Sequence, residues 1–353
     1  MTVLKLGSLF DGIGVFPLAA VHCGIEPVWA SEIEARPISI TRRHFPDMLH
    51  LGDITKISGA EIPPVDVITF GSPCQDLSQI GTRNGFAGKK SSLFYQAMRI
   101  IEEMRYATNG RYPAFTVWEN VAGAFSSNDR LDFAAMLSAF TGAEVSVPSR
   151  GWAHAGMVRG GRADTAWRLL DAQYWGEPAL VQRRKRVFVV ADFAGQRAGE
   201  VLFKPRTVFP FSSIGGPGGL SATQRGGVPA AQTGRQVSIV RPFSLRRMRT
   251  MAQVGDQKGF CASFGRGGEP FPTLLASVTA PFSFWYEGEE QDGFLRVLTP
   301  LECERLMGLP ENWTKYGCKN EEISDHARYR ALGNSIALPC AEYVMAGIAE
   351  VMN

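Results

Sequence analysis

Residues 65–75 read VDVITFGSPCQ. The run VDVITF is short and, apart from Asp66, made of β-branched and aromatic residues, as expected of a strand buried on both faces of a sheet. Immediately beyond it stand Gly71, Ser72 and Pro73, which break the strand, and then Cys74 between a proline and a glutamine. A cysteine that only filled a core would need apolar neighbours on a regular element. Its position past a strand end points to a use for the sulfur.

Outward from this stretch the N-terminal half repeats one pattern. LKLGSLF (4–10), EPVWAS (26–31) and AFTVWEN (114–120) are further strand-like runs. Between them PLAAVHCG (17–24), ISITRRHF (38–45), SLFYQAMRIIEEM (92–104) and DFAAMLSAF (132–140) carry apolar residues at helical spacing. Alternating strands and helices predict βαβ units, hence an α/β fold with a doubly wound, mostly parallel sheet. Ligands of such sheets lie beyond the carboxyl ends of the strands, so the residues just after each strand are the candidates for function.

Those residues share a theme. FDGIG (10–14) follows the first strand, and its glycines let backbone approach a nucleoside or methionine moiety where a Cβ would clash. The third glycine of the dinucleotide fingerprint is missing, which disfavours a pyrophosphate cofactor. Glu32 ends the second strand and can accept both hydroxyls of a ribose. Asp53 follows the third and can accept from an adenine amino group; either acid can equally be an N-cap or a solvated turn residue. Glu119 and Asn120 leave the sheet on the same edge as Cys74. In LVQRRKRVFVV (180–190), Gln182, Arg184 and Arg186 fall at alternate positions, on one face of a strand, and a ligand would satisfy them.

The totals set limits. At 353 residues the chain accommodates one large domain and a smaller one. Asp11 falls where a signal peptide would need apolar residues, and no later apolar run approaches the roughly 18 residues of a membrane span. This predicts a soluble, cytoplasmic protein. The six cysteines form no CxxC pair and suit no zinc spacing, so no metal is expected. The net charge of +3 is unremarkable, but residues 201–255 hold eight Lys and Arg and no acidic residue. That segment is either a solvated basic face or a surface for a polyanion such as nucleic acid. Residues 212–227, SSIGGPGGLSATQRGG, read as loop or linker, so a second domain is expected from about residue 200.

Taken in order, the motifs resemble those of the cytosine-5 DNA methyltransferases over almost the whole chain. FDGIG is similar to the cofactor loop, SPCQ to the nucleophile loop and WENV to the ENV signature. QRRKR fits QxRxR, and TPLECERLMGLPENW (299–313) and ALGNSIALP (331–339) resemble the two C-terminal motifs. The resemblance implies S-adenosylmethionine bound by Phe10, Gly12, Gly14, Glu32, Asp53, Pro73, Leu93, Asn334 and Ser335. It implies Cys74 as nucleophile, Glu119 as the acid at N3 of cytosine, and Arg184 and Arg186 as residues that orient base and catalytic loop. Asp11 and Val15 depart from the small residue and the glycine usual in the first motif.

The remaining expectations follow from that resemblance. Residues 76–92, Gly-rich with three basic side chains, suit a loop that closes over a flipped cytosine, with Ser78 and Arg83 as DNA contacts. Gln182, Arg246, Arg247, Arg249 and Thr273 are the other candidate DNA contacts, Thr273 because PTLLAS resembles the Thr-Leu pair late in the family's recognition domains. The division expected is residues 1–200 for catalysis, 201–319 for target recognition, and 320–353 packing back on the catalytic domain. Duplex DNA is the expected partner of a monomer, beside a restriction endonuclease that acts separately. The alternative is an RNA cytosine methyltransferase on the same scaffold; amino-methylation, which typically uses a D/N-P-P-Y/F loop, does not fit SPCQ.

Overall fold

The computed structural model describes residues 3–72, 93–204, 237–242, 270–271, 273–276, 282–287 and 293–353. They form two compact units. The first comprises residues 1–170, 185–205 and 340–353, and the second residues 171–184 and 206–339. Residues 171–184, expected in the first domain, thus cluster with the second, and the chain returns to the first unit at Cys340 rather than near residue 320.

The first unit is built on an eight-stranded sheet. In chain order its elements are β1 (Lys5–Leu9), α1 (Val15–His22), β2 (Glu26–Ser31), α2 (Ala35–His44), β3 (Leu49–His50), β4 (Val67–Phe70), α3 (Leu93–Ala107), β5 (Phe115–Val121), α4 (Leu131–Thr141), β6 (Ala155–Arg159), β7 (Asp164–Asp171), β8 (Lys185–Asp192) and α5 (Ala198–Leu202). The strand order is β3-β2-β1-β4-β5-β8-β7-β6. β3, β2, β1, β4 and β5 run parallel, whereas β8 is antiparallel to β5. The β6–β7 hairpin closes the far edge. Along β6 exposed and half-buried residues alternate, so this edge strand lacks the apolar run by which buried strands are recognised in sequence.

All four residues of β4 are buried, as are the first four of β5, because both faces of the sheet are covered. One face presents Leu9, Ile68, Phe70, Trp118, Val187 and Val189 to a layer formed by α3 and α4. Phe94 of α3 sits at its centre, edge-on to Trp118 at 6.4 Å and to Phe140 at 5.9 Å, and tilted on Phe70 at 6.0 Å. Burying one such ring stabilises the fold by about 1.5–3 kcal/mol, with about 0.5–1.5 kcal/mol for each well-oriented ring pair.

The second unit carries β9 (Val237–Pro242), β10 (Phe282–Glu287) and β11 (Gly293–Val297) in an antiparallel sheet ordered β11-β10-β9, followed by α6 (Pro300–Leu306) and α7 (Asp325–Asn334). A capping box between Thr299 and Glu302 starts α6, with Pro300 at its first turn. Two residues further along the same motif, the buried Glu304 accepts from Thr314 N at 2.8 Å, Asn312 N at 2.8 Å and Arg328 Nη2 at 3.0 Å. The LECERLMGLPENW segment is therefore a folding device, a buried acid on which a loop and a second helix are assembled. The last helix, α8 (Leu338–Met352), brings Tyr343 back to the first unit, where its hydroxyl donates to Leu202 O at 2.7 Å. No single helix among the described residues is long and apolar enough to cross a membrane.

Candidate active site

The carboxyl ends of β1, β2 and β3 bring five expected cofactor residues to one edge. Phe10 leaves β1 with φ 54°, a left-handed conformation that costs a bulky residue roughly 1–3 kcal/mol. Gly12 follows at φ 60°, and a Cβ built on it would meet no atom within 4 Å, so its backbone borders open space. Gly14, at φ 78°, caps α1. Glu32 closes the arrangement: its carboxylate accepts Gly12 N at 2.9 Å, Ile33 N at 2.7 Å and Glu34 N at 3.0 Å. Oε1 accepts twice and Oε2 once, so Glu32 is held rigidly while Oε2 keeps a lone pair for a ligand. Asp53 caps a short 3₁₀ turn by accepting Thr55 N at 2.9 Å and Thr55 Oγ1 at 2.8 Å, and these bonds hold its carboxyl below the usual range.

Asp11 lies between these groups and is buried. Its N–H donates to Ser31 O at 3.0 Å, which joins the ends of β1 and β2. Loss of solvent pushes its carboxyl up to about 7; the Ser8 hydroxyl lowers it in part, and the Glu32 charge raises it further. An acid in place of the small residue usual in such a loop thus becomes a group that exchanges its proton near neutral pH.

The second cluster joins β4, β5 and β8. Glu119 on β5 and Arg186 on β8 pair with Arg186 Nε 3.0 Å from Glu119 Oε1, their side chains 12% and 14% exposed respectively. The antiparallel register sets Val121 opposite Arg186, which places the guanidinium beside the acid. Past the end of β4, a Cβ on Gly71 would stand 3.1 Å from Glu119 Oε2, so a side chain there would press the carboxylate slightly out of place. The next residue, Ser72, is held twice: Asn120 Nδ2 donates to Ser72 O at 2.9 Å and Trp118 Nε1 donates to Ser72 Oγ at 3.0 Å. Asn120 is oriented in turn by its Oδ1, which accepts Val121 N at 2.8 Å. The chain that runs on to Cys74 is thereby fixed, two residues before it, to the strand that carries Glu119. Trp118, Asn120 and Ser72 went unassigned in the sequence; their signal was a serine before the cysteine and polar groups at alternate positions around Glu119.

The expectation that one strand face presents Gln182, Arg184 and Arg186 to a ligand requires correction. Only Arg186 lies on β8 and meets Glu119. Gln182 is fully buried in the second unit and donates to Leu306 O at 3.0 Å, leaving it no surface for DNA. Arg184 is 1% exposed and donates from Nη1 to Leu274 O at 2.9 Å and from Nη2 to Gly333 O at 2.9 Å and to Ser335 O. Protein carbonyls take the place foreseen for a ligand. Asn334 and Ser335 lie in this second unit at the end of α7, and Thr273 Oγ1 donates to Arg183 O at 2.6 Å. Leu93 begins α3 in the first unit. Pro73, Cys74, Ser78, Arg83, Arg246, Arg247 and Arg249 lie outside the described residues.

Among the described cysteines, burial pushes the Cys23 thiol up to about 11 with help from the Glu342 charge, and burial raises Cys303 as well. Neither thiol is primed as a nucleophile. No group of three or more His, Cys, Asp or Glu among the described residues forms a metal site.

Comparison with known proteins bears on this geometry directly. The profile of the C-5 cytosine-specific DNA methylase family matches residues 4–206 and 233–350. A protein of Escherichia phage P1 named a DNA N-6-adenine-methyltransferase is 24% identical across 98% of this chain, which spans 61% of that relative's length. The type II methyltransferase M1.ScrFI of Lactococcus lactis subsp. cremoris is 26% identical across 99% of this chain and 78% of its own. Among solved structures, the S. pombe Dnmt2 methyltransferase superposes with a TM-score of 0.61 at 16% identity, covering the whole of both chains, a likeness of fold. The family profile spans both units, the glycine loop with Glu32 and the Glu119–Arg186 pair included, and the chain belongs to the C-5 cytosine-specific DNA methylase family, a family of methyl-transferring enzymes.

Proposed function

We propose that this chain transfers a methyl group from S-adenosylmethionine to carbon 5 of a cytosine in duplex DNA, through a covalent adduct on Cys74. The observation that carries the reading is the junction at Gly71 and Ser72. It ties the chain leading to a thiol to the strand of a half-buried acid, within a family match that spans the molecule.

The residues at the sheet edge fit the cofactor. Open backbone at Gly12, the fixed carboxylate of Glu32 and the turn at Asp53 suit a methionine moiety, a ribose and an adenine in that order. S-adenosylmethionine supplies an electrophilic methyl group on a sulfonium. The protein's own work is on the base. Carbon 5 of cytosine is a poor nucleophile until the Cys74 thiolate adds to carbon 6, which turns the ring into an enamine. Glu119 holds a proton at N3 as negative charge develops there, and Arg186 fixes the carboxyl that does so. Once carbon 5 carries the methyl group it loses its proton to a base, and elimination restores the carbon 5–carbon 6 double bond and frees Cys74. Carbon 6 is hidden in a duplex, so the target base leaves the stack at a cost of a few kcal/mol.

The adenine activity in the phage P1 relative's name calls for an amino group as acceptor and has no use for the thiol of SPCQ. We read the enzyme as cytoplasmic and monomeric, with a restriction endonuclease, where one exists, acting separately. Purified protein with labelled S-adenosylmethionine is expected to label duplex DNA and not tRNA, and labelling of tRNA alone would overturn the DNA assignment. Duplex DNA with 5-fluorocytosine at the target is expected to trap a denaturation-resistant complex; its formation by Cys74→Ala would remove Cys74 as nucleophile.

A further inference from the structure

Beyond β5 the chain does something costly. Asn128, Asp129 and Arg130 adopt φ values of 46°, 52° and 74° in succession, three left-handed residues with no glycine among them. Asn128 and Asp129 tolerate that conformation, but it costs Arg130 about 1–2 kcal/mol, so the surroundings must impose the shape there. They do so from two sides. The buried Asp132 at the start of α4 accepts Ser127 Oγ at 2.5 Å and Asn128 Nδ2 at 3.1 Å. Trp152 Nε1 donates to Arg130 O at 3.0 Å, and its indole is wedged edge-on against Phe133 at 5.0 Å and Trp167 at 6.0 Å.

The result is a juxtaposition across twenty residues of sequence. The Arg130 guanidinium lies over Gly151, where a Cβ would come within 3.1 Å of its Cζ. Arg150 is the neighbour of that glycine, and both arginines are exposed. His154 stacks on Phe125 alongside at 6.3 Å. Asp129, next to Arg130, is exposed, whereas Asp132 is buried and engaged. Because β5 ends and β6 begins here, the two arginines stand on the carboxyl edge of β5, the edge on which Glu119 meets Arg186.

We propose that Arg130 and Arg150 form a phosphate-binding strip of the first unit that grips the DNA backbone beside the target cytosine, separate from the basic segment 201–255. The inference rests on the reading of the chain as a duplex-DNA methyltransferase. A guanidinium seated over Gly151, with a second exposed arginine next to that glycine in the chain, fits a row of phosphates, whereas base edges would need them to reach into a groove. The strip strengthens binding without reading sequence, and it spares the recognition unit part of the work of holding the duplex.

The test is duplex binding by fluorescence anisotropy between 50 and 200 mM salt, with cofactor affinity measured by calorimetry in parallel. Arg130→Asn keeps a residue that tolerates the left-handed conformation, and Arg150→Gln touches an exposed side chain. The double variant is expected to bind cognate and unrelated duplexes more weakly by the same factor. Its slope of log K against log salt should be shallower by about 1.8, two contacts at about 0.9 each. Cofactor affinity should be unchanged, and Arg130→Lys with Arg150→Lys should restore most of the slope. An unaltered slope in a double variant whose cofactor affinity is intact would overturn the strip. Should the double variant not fold, Arg150→Gln alone must lower the slope by about 0.9 or the proposal falls. A wild-type chain that binds and methylates tRNA but not duplex DNA would instead overturn the functional reading itself.

Discussion

Arg186 Nε lies 3.0 Å from Glu119 Oε1, and the two side chains are 14% and 12% exposed. Glu119→Gln keeps the shape and the hydrogen-bonding edge of the side chain but removes the proton-holding acid. Single-turnover methyl transfer is expected to fall by roughly 10²–10⁴-fold, the usual contribution of a positioned acid, with cofactor affinity unchanged. A loss below tenfold would show that N3 is served by another group.

Asn120 binds no substrate in this reading; it holds Ser72. Asn120→Ala leaves a buried carbonyl unpaired and should cost about 1–3 kcal/mol in urea unfolding. If the bond also aims the segment that carries Cys74, single-turnover transfer should slow beyond what loss of folded protein explains, and the 5-fluorocytosine complex should form more slowly. Full activity per folded molecule would reduce Asn120 to a structural part.

Asp11 makes stability depend on pH in a direction opposite to that of a salt-bridged acid. Its folded value of about 7 stands above the ordinary 3.8, so the folded form holds a proton that the unfolded form gives up. Stability is complete below pH 4 on this account and declines as pH rises to about 7, by an amount on the order of a few kcal/mol. Asp11→Asn is expected to match the wild type near pH 4 and to exceed it at pH 8 in denaturant unfolding. Parallel curves across that range would show that Asp11 is ionised in the fold.

Arg184 separates two roles experimentally. Its guanidinium serves three carbonyls of the second unit, and Arg184→Met would strip charge-assisted bonds worth about 1.5–3 kcal/mol each. The second unit should lose several kcal/mol and become the earlier target of limited proteolysis. A variant of unchanged stability with slowed methyl transfer would instead favour the ring-orienting role that the family resemblance implies.

Much of this molecule is legible in its sequence. The runs VDVITF and AFTVWEN are apolar because both faces of a parallel sheet are covered, so the strands and their order of chemistry could be read in line. β6 was not readable, since an edge strand that buries little carries no such run. The glycine loop, Glu32 and Glu119 are legible as candidates because ligands of such sheets lie beyond the strand ends, and strand ends are local in sequence.

The α/β alternation, the candidate thiol and acid, and the family all follow from short-range pattern. Which polar residue of QRRKR meets the acid depends on long-range pairing. Alternation put Gln182, Arg184 and Arg186 on one face, but the strand begins at Lys185, and the first two belong to a segment whose partners lie 90 to 151 residues away. Arg186 reaches Glu119 because β8 runs antiparallel to β5 and sets Val121 opposite it. Pairing direction and partners so distant in sequence are fixed by burying the whole set of surfaces at once, and no local window contains that information.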